Sequence, residues 1–502
     1  MFSHNTSSIA ASGSAASRTQ ATLWRLGLLL VLGLALLLRL LWIDADAATT
    51  LTWSGAPFTD EGLYSHAARN RVLFGIARTN EWDNRLVSPL FDGLAFVVFS
   101  LFGVGFVQVR LISIVFATVA LLLFWSLLRS DWGPRWALLG ASLWGLDYFW
   151  LQYSRLGLLE PSMVAWLVAA AWCWRRALGG SAWWSIGCGA CAALACVWKS
   201  LALIWLPVPL LALLLLNRRW TRWPIAVGYL LGLALALGLY GLIWYLPHRG
   251  ELTAYNQFYA ADRVPQTLQE ALQVFGRNIR STYIWGQTPV LLGVALAGTF
   301  KALLAWRDRS LAPSVALALA WALCGAGLLL MPYSPPRYYT LVLPALVVLA
   351  VFAVAHADNQ YFQYFQSLMR YGPALLLTAC LLWNGWWYLR WAAARRTTLP
   401  DSARAVERLV PRGELVLGVA ACGLSPGNTL PCAPPFVGLA NDRLPVETLG
   451  ARYALVEEGN RDDYLRRFYG PLLARSIRLG QLPLGSRRLT LYRLDEPAAG
   501  DR

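Results

Sequence analysis

The sequence predicts a mainly α, polytopic membrane bundle of about eleven spans, with a small α/β domain at its C-terminal end. Three observations predict it. Of 502 residues, 57% are hydrophobic and only 14% charged, against about 25% charged in an ordinary soluble domain. Many separate apolar runs approach the roughly 20 residues an α-helix needs to cross a bilayer. After residue 395 the long runs stop, and short apolar stretches alternate with Gly and Pro clusters. The formal charge of +16 does not imply nucleic acid, because cytoplasmic loops of such a protein collect Lys and Arg. Contact with membrane lipids and their anionic head groups is expected instead.

Taken in order, residues 1–22 read as a disordered cytoplasmic tail, since the opening stretch is Ser/Ala-rich with little apolar bulk. Leu23 to Ile43 forms the first span. Ala45-Asp46-Ala47 mimics a signal-peptidase site, but the apolar stretch exceeds the usual h-region of about 7–15 residues, so the reading is an uncleaved helix. The remaining spans lie near 108–128, 135–152, 161–178, 182–198, 200–216, 224–246, 288–305, 313–331, 338–355 and 371–391. Residues 23–395 make up the membrane module. From 396 to 502, short runs at Glu414 to Ala420, Tyr453 to Glu457 and Leu489 to Leu494, and a helix start at Asp462 to Arg467, predict the α/β domain.

Alternate connections carry the basic residues: Arg129 and Arg135, then Arg175 and Arg176, then Arg218, Arg219 and Arg222, then Arg307 and Arg309. The positive-inside rule places these in the cytoplasm with the N-terminus. Pro89 to Gly103 is also apolar, but as a full span it would invert every later loop; a re-entrant or interfacial helix in a long first outer loop at 44–107 fits the charge pattern. With an odd span count the C-terminal domain is extracytoplasmic. Asp60-Glu61, the connection from Tyr153 to Glu160, Lys199, the 247–287 loop and Ser334 to Tyr338 then share one outer face. Charges near a bilayer are costly and mark either a site or a snorkelling anchor.

Cys188 and Cys191 have CxxC spacing but lie in an apolar, small-residue run without a second ligand pair, which reads as helix packing. Cys422 and Cys432 fall in the outer domain, where a disulfide can persist; both states stay open. His4, His66, His248 and His356 show no ligand spacing, so no metal and no cofactor are expected.

The segment Thr59-Asp60-Glu61 has two readings. Thr59 can cap a helix whose first turn carries the two acids. Asp60, Tyr64 and Arg71 also fall on one face of such a helix, where a held carboxylate can serve as general base toward a hydroxyl or amine. A phosphate leaving group needs no second acid to protonate it, only cations to stabilise the departing oxyanion. Arg155, Lys199, Arg263 and Arg337 supply such cations on the same face, although each alone also reads as a snorkelling charge.

These residues carry a resemblance. Arg39 followed by Asp60-Glu61-x-x-Tyr64-x-x-x-Ala68, Ser88-Pro89-Leu90, Arg155 to Pro161 followed by Lys199, and Pro336-Arg337-Tyr338-Tyr339 followed by Leu343-Pro344-Ala345-Leu346 occur in that order. The chain resembles the GT-C membrane glycosyltransferases, specifically the superfamily of dolichyl-phosphate-mannose protein mannosyltransferases and bacterial aminoarabinose transferases. The resemblance spans roughly residues 39–350 and implies an inverting transfer of a sugar from a polyprenyl-phosphate donor to a lipid, protein or polysaccharide acceptor at the outer face of the cytoplasmic membrane. It implies Asp60 as the base or its closest partner, Glu61 and Glu160 as accompanying acids, and Tyr64, Arg155, Lys199, Arg263, Arg337 and Tyr338 as substrate-binding residues. Glu160 stands where the family usually has Asp, and Lys199-Ser200-Leu201 replaces its Lys-Gly-Pro. A transporter or flippase of lipid-linked sugars is the competing class, but it would place ionisable residues along a route across the membrane. A mere anchor for the C-terminal domain would need one span.

Overall fold

The computed structural model describes residues 6–52, 55–77, 84–216, 223–260, 265–280, 286–307, 311–355, 366–436, 448–459 and 464–494. Arg218, Arg219, Arg222 and Arg309, on which part of the loop reading rests, and the candidate cation Arg263 lie outside the described residues. Apolar helices dominate. Helix α1 (Thr6–Leu40) is followed by two short helices, α2 (Asp60–Tyr64) and α3 (His66–Phe74), and by the apolar α4 (Pro89–Phe102). At about 1.5 Å per residue α4 is roughly 21 Å long, short of a hydrocarbon core of about 30 Å. That length suits a re-entrant or interfacial segment.

The next run, α5 (Phe106–Gly145), joins two helices that the sequence separates. Gly133 adopts φ 79° and Pro134 lacks an N–H, so the chain breaks where a basic loop was expected. Helix α6 (Tyr148–Ser154) and α7 (Leu159–Ala177) meet at a bend of 113°. Helices α8 (Ala182–Trp198), α9 (Val208–Leu215) and α10 (Trp223–Tyr240) follow. The segment between bundle halves carries α11 (Arg249–Ala260) and α12 (Leu268–Arg280); then come α13 (Pro289–Arg307), α14 (Pro313–Gly325), α15 (Leu343–Ala355) and α16 (Gln366–Ala393).

Among the described residues, five helices are individually long and apolar enough to cross a membrane, and the bent α6–α7 pair makes a sixth. Pro89–Phe102, Trp183–Trp198, Ser200–Leu215 and Leu343–Ala355 are apolar but shorter. The chain is thus a mainly helical multi-span membrane protein; the count of eleven is finer than helix length and composition alone support.

Small residues let helices approach closely where lipid provides no hydrophobic drive. A Cβ on Gly189 would lie 2.0 Å from the Tyr229 carbonyl oxygen, and one on Gly232 would lie 2.0 Å from that of Ile186. The Cys188-Gly189-Ala190-Cys191 run therefore packs α8 on α10, and Cys188 and Cys191 are not bonded to each other.

The C-terminal region forms helix α17 (Thr398–Leu409), α18 (Val419–Leu424), α19 (Tyr464–Arg475) and strands β1 (Val416–Leu417), β2 (Cys432–Ala433), β3 (Tyr453–Glu457), β4 (Ile477–Leu484) and β5 (Arg487–Arg493). The mixed sheet has order β2-β1-β3-β5-β4, with β1 parallel to β2 and β3, and β5 antiparallel to β3 and β4. Side chains alternate across a strand, and β3 uses both faces. Tyr453 and Leu455 join a core with Ala56 and Phe106, whereas Ala454 and Val456 join one with Leu465 and Leu473 beneath α19. The first core ties the sheet to the loop after α1 and to the start of α5.

Candidate active site

Three interruptions of the bundle deliver its central side chains. Glu160 sits in the first turn of α7, just past the sharp bend after α6. Lys199 is the residue where α8 stops, in extended backbone (φ −155°, ψ 124°) before a 3-10 turn. Arg337 lies in a 3-10 turn, Pro336–Leu341, that follows Ser334-Pro335. Pro335 cannot donate to a helix and Pro336 forces it into extended conformation; its ψ is 152°. Helix ends leave backbone groups unpaired, and these three meet beside the start of α2.

The result is a cluster of two carboxylates and two cations. Arg337 lies 3.1 Å from Asp60 Oδ2 through Nη1 and 2.8 Å from Glu160 Oε1 through Nε. Lys199 Nζ donates to the same Glu160 oxygen at 2.7 Å. Glu160 is fully buried, whereas the Asp60 side chain keeps 26% exposure. The other Glu160 oxygen, Oε2, is buried and accepts no hydrogen bond. Aromatic faces line the cations: Lys199 Nζ stands 4.9 Å from the Tyr338 ring centre and 5.8 Å from that of Tyr64, and the Arg337 guanidinium 5.2 Å from that of Phe58. Desolvation pushes the Tyr64 phenol well above its usual range and the charge of Asp60 adds to this, so Tyr64 stays a neutral donor.

Glu61 goes elsewhere. Its two oxygens accept from Nε and Nη2 of Arg110 at 2.8 and 2.7 Å, and Oε1 also accepts the Gly157 N–H at 2.7 Å. Arg110 is completed by the carbonyls of Ile43 and Ala45. Arg155 is likewise outside the cluster. Its Nη2 donates to the Trp42 carbonyl and its guanidinium stacks 4.3 Å from the Trp391 ring centre, while Nε and Nη1 find no acceptor. Arg71 does not share a helix with Asp60, because α2 ends at Tyr64; it pairs with Asp92. Thr59 stands at the N-cap position of α2 but makes no side-chain capping bond, while Asp60 and Glu61 do lie in the first turn, as the capping reading expected. Arg263 lies outside the described residues.

The C-terminal domain grips the helix that carries Asp60. A Cβ on Gly62 would come within 2.3 Å of the Cys422 carbonyl oxygen, and one on Gly423 within 2.3 Å of Thr59 Cβ. The backbones of α2 and α18 thus touch. Next to them buried Arg69 donates to the carbonyls of Ser425, Asn428 and Leu430 at 2.8, 2.9 and 2.7 Å. Cys422 and Cys432 are bonded in a disulfide, and His66 Nδ1 lies 3.5 Å from Cys432 Sγ. Three groups of metal-ligand type converge there, but the sulfurs are engaged with one another. Sequence reasoning missed Arg110 and Arg69. Arg110 was findable, as a lone charge at the start of an apolar run that must have a partner; nothing local marks Arg69.

Residues 87–244 match the family model described as dolichyl-phosphate-mannose-protein mannosyltransferase. No curated protein sequence matches. Among solved structures, ArnT from Cupriavidus metallidurans in the apo state aligns over 94% of this chain and 98% of its own, with a TM-score of 0.64 at 16% identity. The same protein bound to undecaprenyl phosphate aligns over 92% and 97%, with a TM-score of 0.59 at 17% identity. The oligosaccharyltransferase AglB from Archaeoglobus fulgidus, in complex with an inhibitory peptide and a dolichol-phosphate, aligns over 87% and 69%, with a TM-score of 0.57 at 13% identity. The match over residues 87–244 and the fold shared with ArnT agree with the resemblance read from the motifs.

Proposed function

We propose that this chain, whose residues 87–244 match the mannosyltransferase model and whose fold is shared with ArnT, is a membrane glycosyltransferase that moves a sugar with inversion from a polyprenyl-phosphate donor to an acceptor nucleophile. The observation that carries this reading is the bridge of Arg337 between partly exposed Asp60 and buried Glu160, with Lys199 on the same Glu160 oxygen. A relative of the same fold binds undecaprenyl phosphate, a ligand whose charge suits two cations on one wall.

The donor phosphate enters at Arg337 and Lys199 and draws Arg337 off Asp60. The freed carboxylate takes the proton of the acceptor hydroxyl or amine as its oxygen or nitrogen attacks the anomeric carbon. The bond from that carbon to the phosphate oxygen breaks with its electron pair left on the phosphate, where the two cations stabilise it. Glu160 stays buried and holds the cations in register. Tyr64, Tyr338 and Phe58 exclude water around them. Glu61 acts through structure, by fixing α2 against α5.

The site and the C-terminal domain lie on the outer side of the membrane under this reading. An engineered cysteine at exposed Gln481 would then be labelled in intact cells by an impermeant reagent, and one at exposed Arg176 would not.

The function is tested with purified protein in liposomes, supplied with polyprenyl-phosphate sugars and an envelope extract. Sugar-bearing product and free polyprenyl phosphate should appear in equal amounts. Movement of intact donor between leaflets, with neither product formed, would identify a carrier. Mass spectrometry of envelope glycolipids and glycoproteins from a strain lacking the chain names the sugar and the acceptor.

A further inference from the structure

A second charged recess, sharing no residue with the Asp60 cluster, opens where α16 meets the C-terminal domain. It is a cavity of about 320 Å³ walled by Arg390, Arg395 and Arg396, by Trp387 and Trp391, and on the domain side by Gly485 and Ser486. That size falls at the lower end of small-ligand pockets, about 300–1,000 Å³. Its one acid, Asp46, is already engaged: its oxygens accept the Thr398 N–H and hydroxyl and the Leu399 N–H at 2.9, 2.6 and 3.0 Å. None of the three arginines pairs with a carboxylate among the described residues.

Two of the guanidiniums are held in place by indoles. Arg390 lies 5.4 Å from the Trp387 ring centre and Arg395 4.4 Å from that of Trp42, which itself packs edge-on against Trp391. Arg396 is tied to the domain through Nη1 and the Gly485 carbonyl at 3.3 Å. Arginines that only snorkel from a helix end extend into water; these are stacked, which keeps their flat forks ordered at little entropic cost. Complementing the C-terminal dipole of α16 explains cations at that end, but not their stacking on Trp387 and Trp42 or the tie of Arg396 to Gly485 of the domain. Trp belts mark the depth of lipid head groups, and ordered guanidiniums bind phosphate bidentately.

We propose that this recess binds the phosphate of an anionic phospholipid head group, docking the seam between α16 and the C-terminal domain onto lipid. The assignment is independent of the transferase reading.

The test uses the full chain purified in detergent. Native mass spectrometry compares retention of phosphatidylglycerol with that of phosphatidylcholine, in the wild type and in the variant Arg390→Gln with Arg395→Gln. Both arginines are exposed, and lipid-free melting temperatures check the fold of the variant. The expected result is preferential retention of phosphatidylglycerol by the wild type, reduced about tenfold or more in the variant. The charge-keeping pair Arg390→Lys with Arg395→Lys should fall between the two. Equal retention by wild type and glutamine variant, or no preference over phosphatidylcholine, would overturn the proposal. So would a melting-temperature rise with inorganic phosphate in the absence of any lipid retention, which would make the recess a free-phosphate site. Should the glutamine variant misfold, the lysine pair and the lipid preference of the wild type decide alone.

Discussion

Asp60 and Glu61 are neighbours in sequence with the same charge, and the fold gives them opposite surroundings. Successive side chains on a helix diverge by about 100°, so α2 points one carboxylate at the cation cluster and the other into the protein. Asp60 keeps partial exposure and one ionic contact, at 3.1 Å. Glu61 is sealed, and Arg110 and the Gly157 N–H occupy both its oxygens. A charge that must exchange partners during a reaction needs access and spare lone pairs. A charge that holds two elements together needs neither. Under the proposed mechanism the pair divides the work, Asp60 for chemistry and Glu61 for architecture.

The sharpest way to break this division is to remove Glu61. Glu61→Ala leaves Arg110 buried without its counter-ion, a change that typically costs about 3–5 kcal/mol. The expected outcome is a protein that inserts poorly or melts far below wild type in detergent, with sugar transfer falling only in step with the folded fraction. Replacing both partners, Glu61→Leu with Arg110→Met, should recover much of the lost stability, since apolar pairs often substitute for buried ion pairs. A stable Glu61→Ala protein with specifically lost transfer would erase the distinction and put Glu61 in the chemistry.

The cations test the other half of the comparison. Lys199→Ala or Arg337→Ala removes a charge-assisted contact worth about 1.5–3 kcal/mol, a tenfold to hundredfold loss in productive use of donor. Donor competition assays on well-inserted protein would measure it; normal turnover in both variants would detach the phosphate from this wall. Part of each loss is structural, because buried Glu160 is left with fewer partners, so melting curves should accompany the kinetics.

A smaller effect comes from the contact between α2 and the C-terminal domain. Gly62→Ala places a methyl within 2.3 Å of the Cys422 carbonyl oxygen, and such overpacking commonly costs about 1–3 kcal/mol. Because α2 carries Asp60, transfer should fall with stability only partly lowered. An unaffected Gly62→Ala protein would mean that the domain merely rests on the site.

Much of this arrangement was legible in the sequence. Long apolar runs and their poverty of charge gave the multi-span class, and the Gly/Pro-punctuated C-terminus gave the small mixed sheet. Asp60, Glu160, Lys199 and Arg337 are far apart in the chain; the alternation of basic loops put them on one face and their order matched the motifs, and the structure brings these four together. What was not legible depends on three-dimensional accounting. Arg155 lies on the same stretch as Glu160, yet the bend between α6 and α7 turns it toward Trp42 and Trp391. Asp60 and Arg71 fit one helical face on paper, but α2 stops at Tyr64 before Arg71 is reached. The bond between Cys422 and Cys432 needed β2 laid beside β1, which no local signal encodes.

The central claim is that Asp60 is the base and not a structural acid. Asp60→Asn keeps the shape of the side chain and removes its basicity. Transfer per folded molecule, measured beside the melting temperature, should drop about a hundredfold or more while the melting temperature stays close to wild type. Near-normal transfer by a well-folded Asp60→Asn protein would contradict the account and move the search for the base to Glu160.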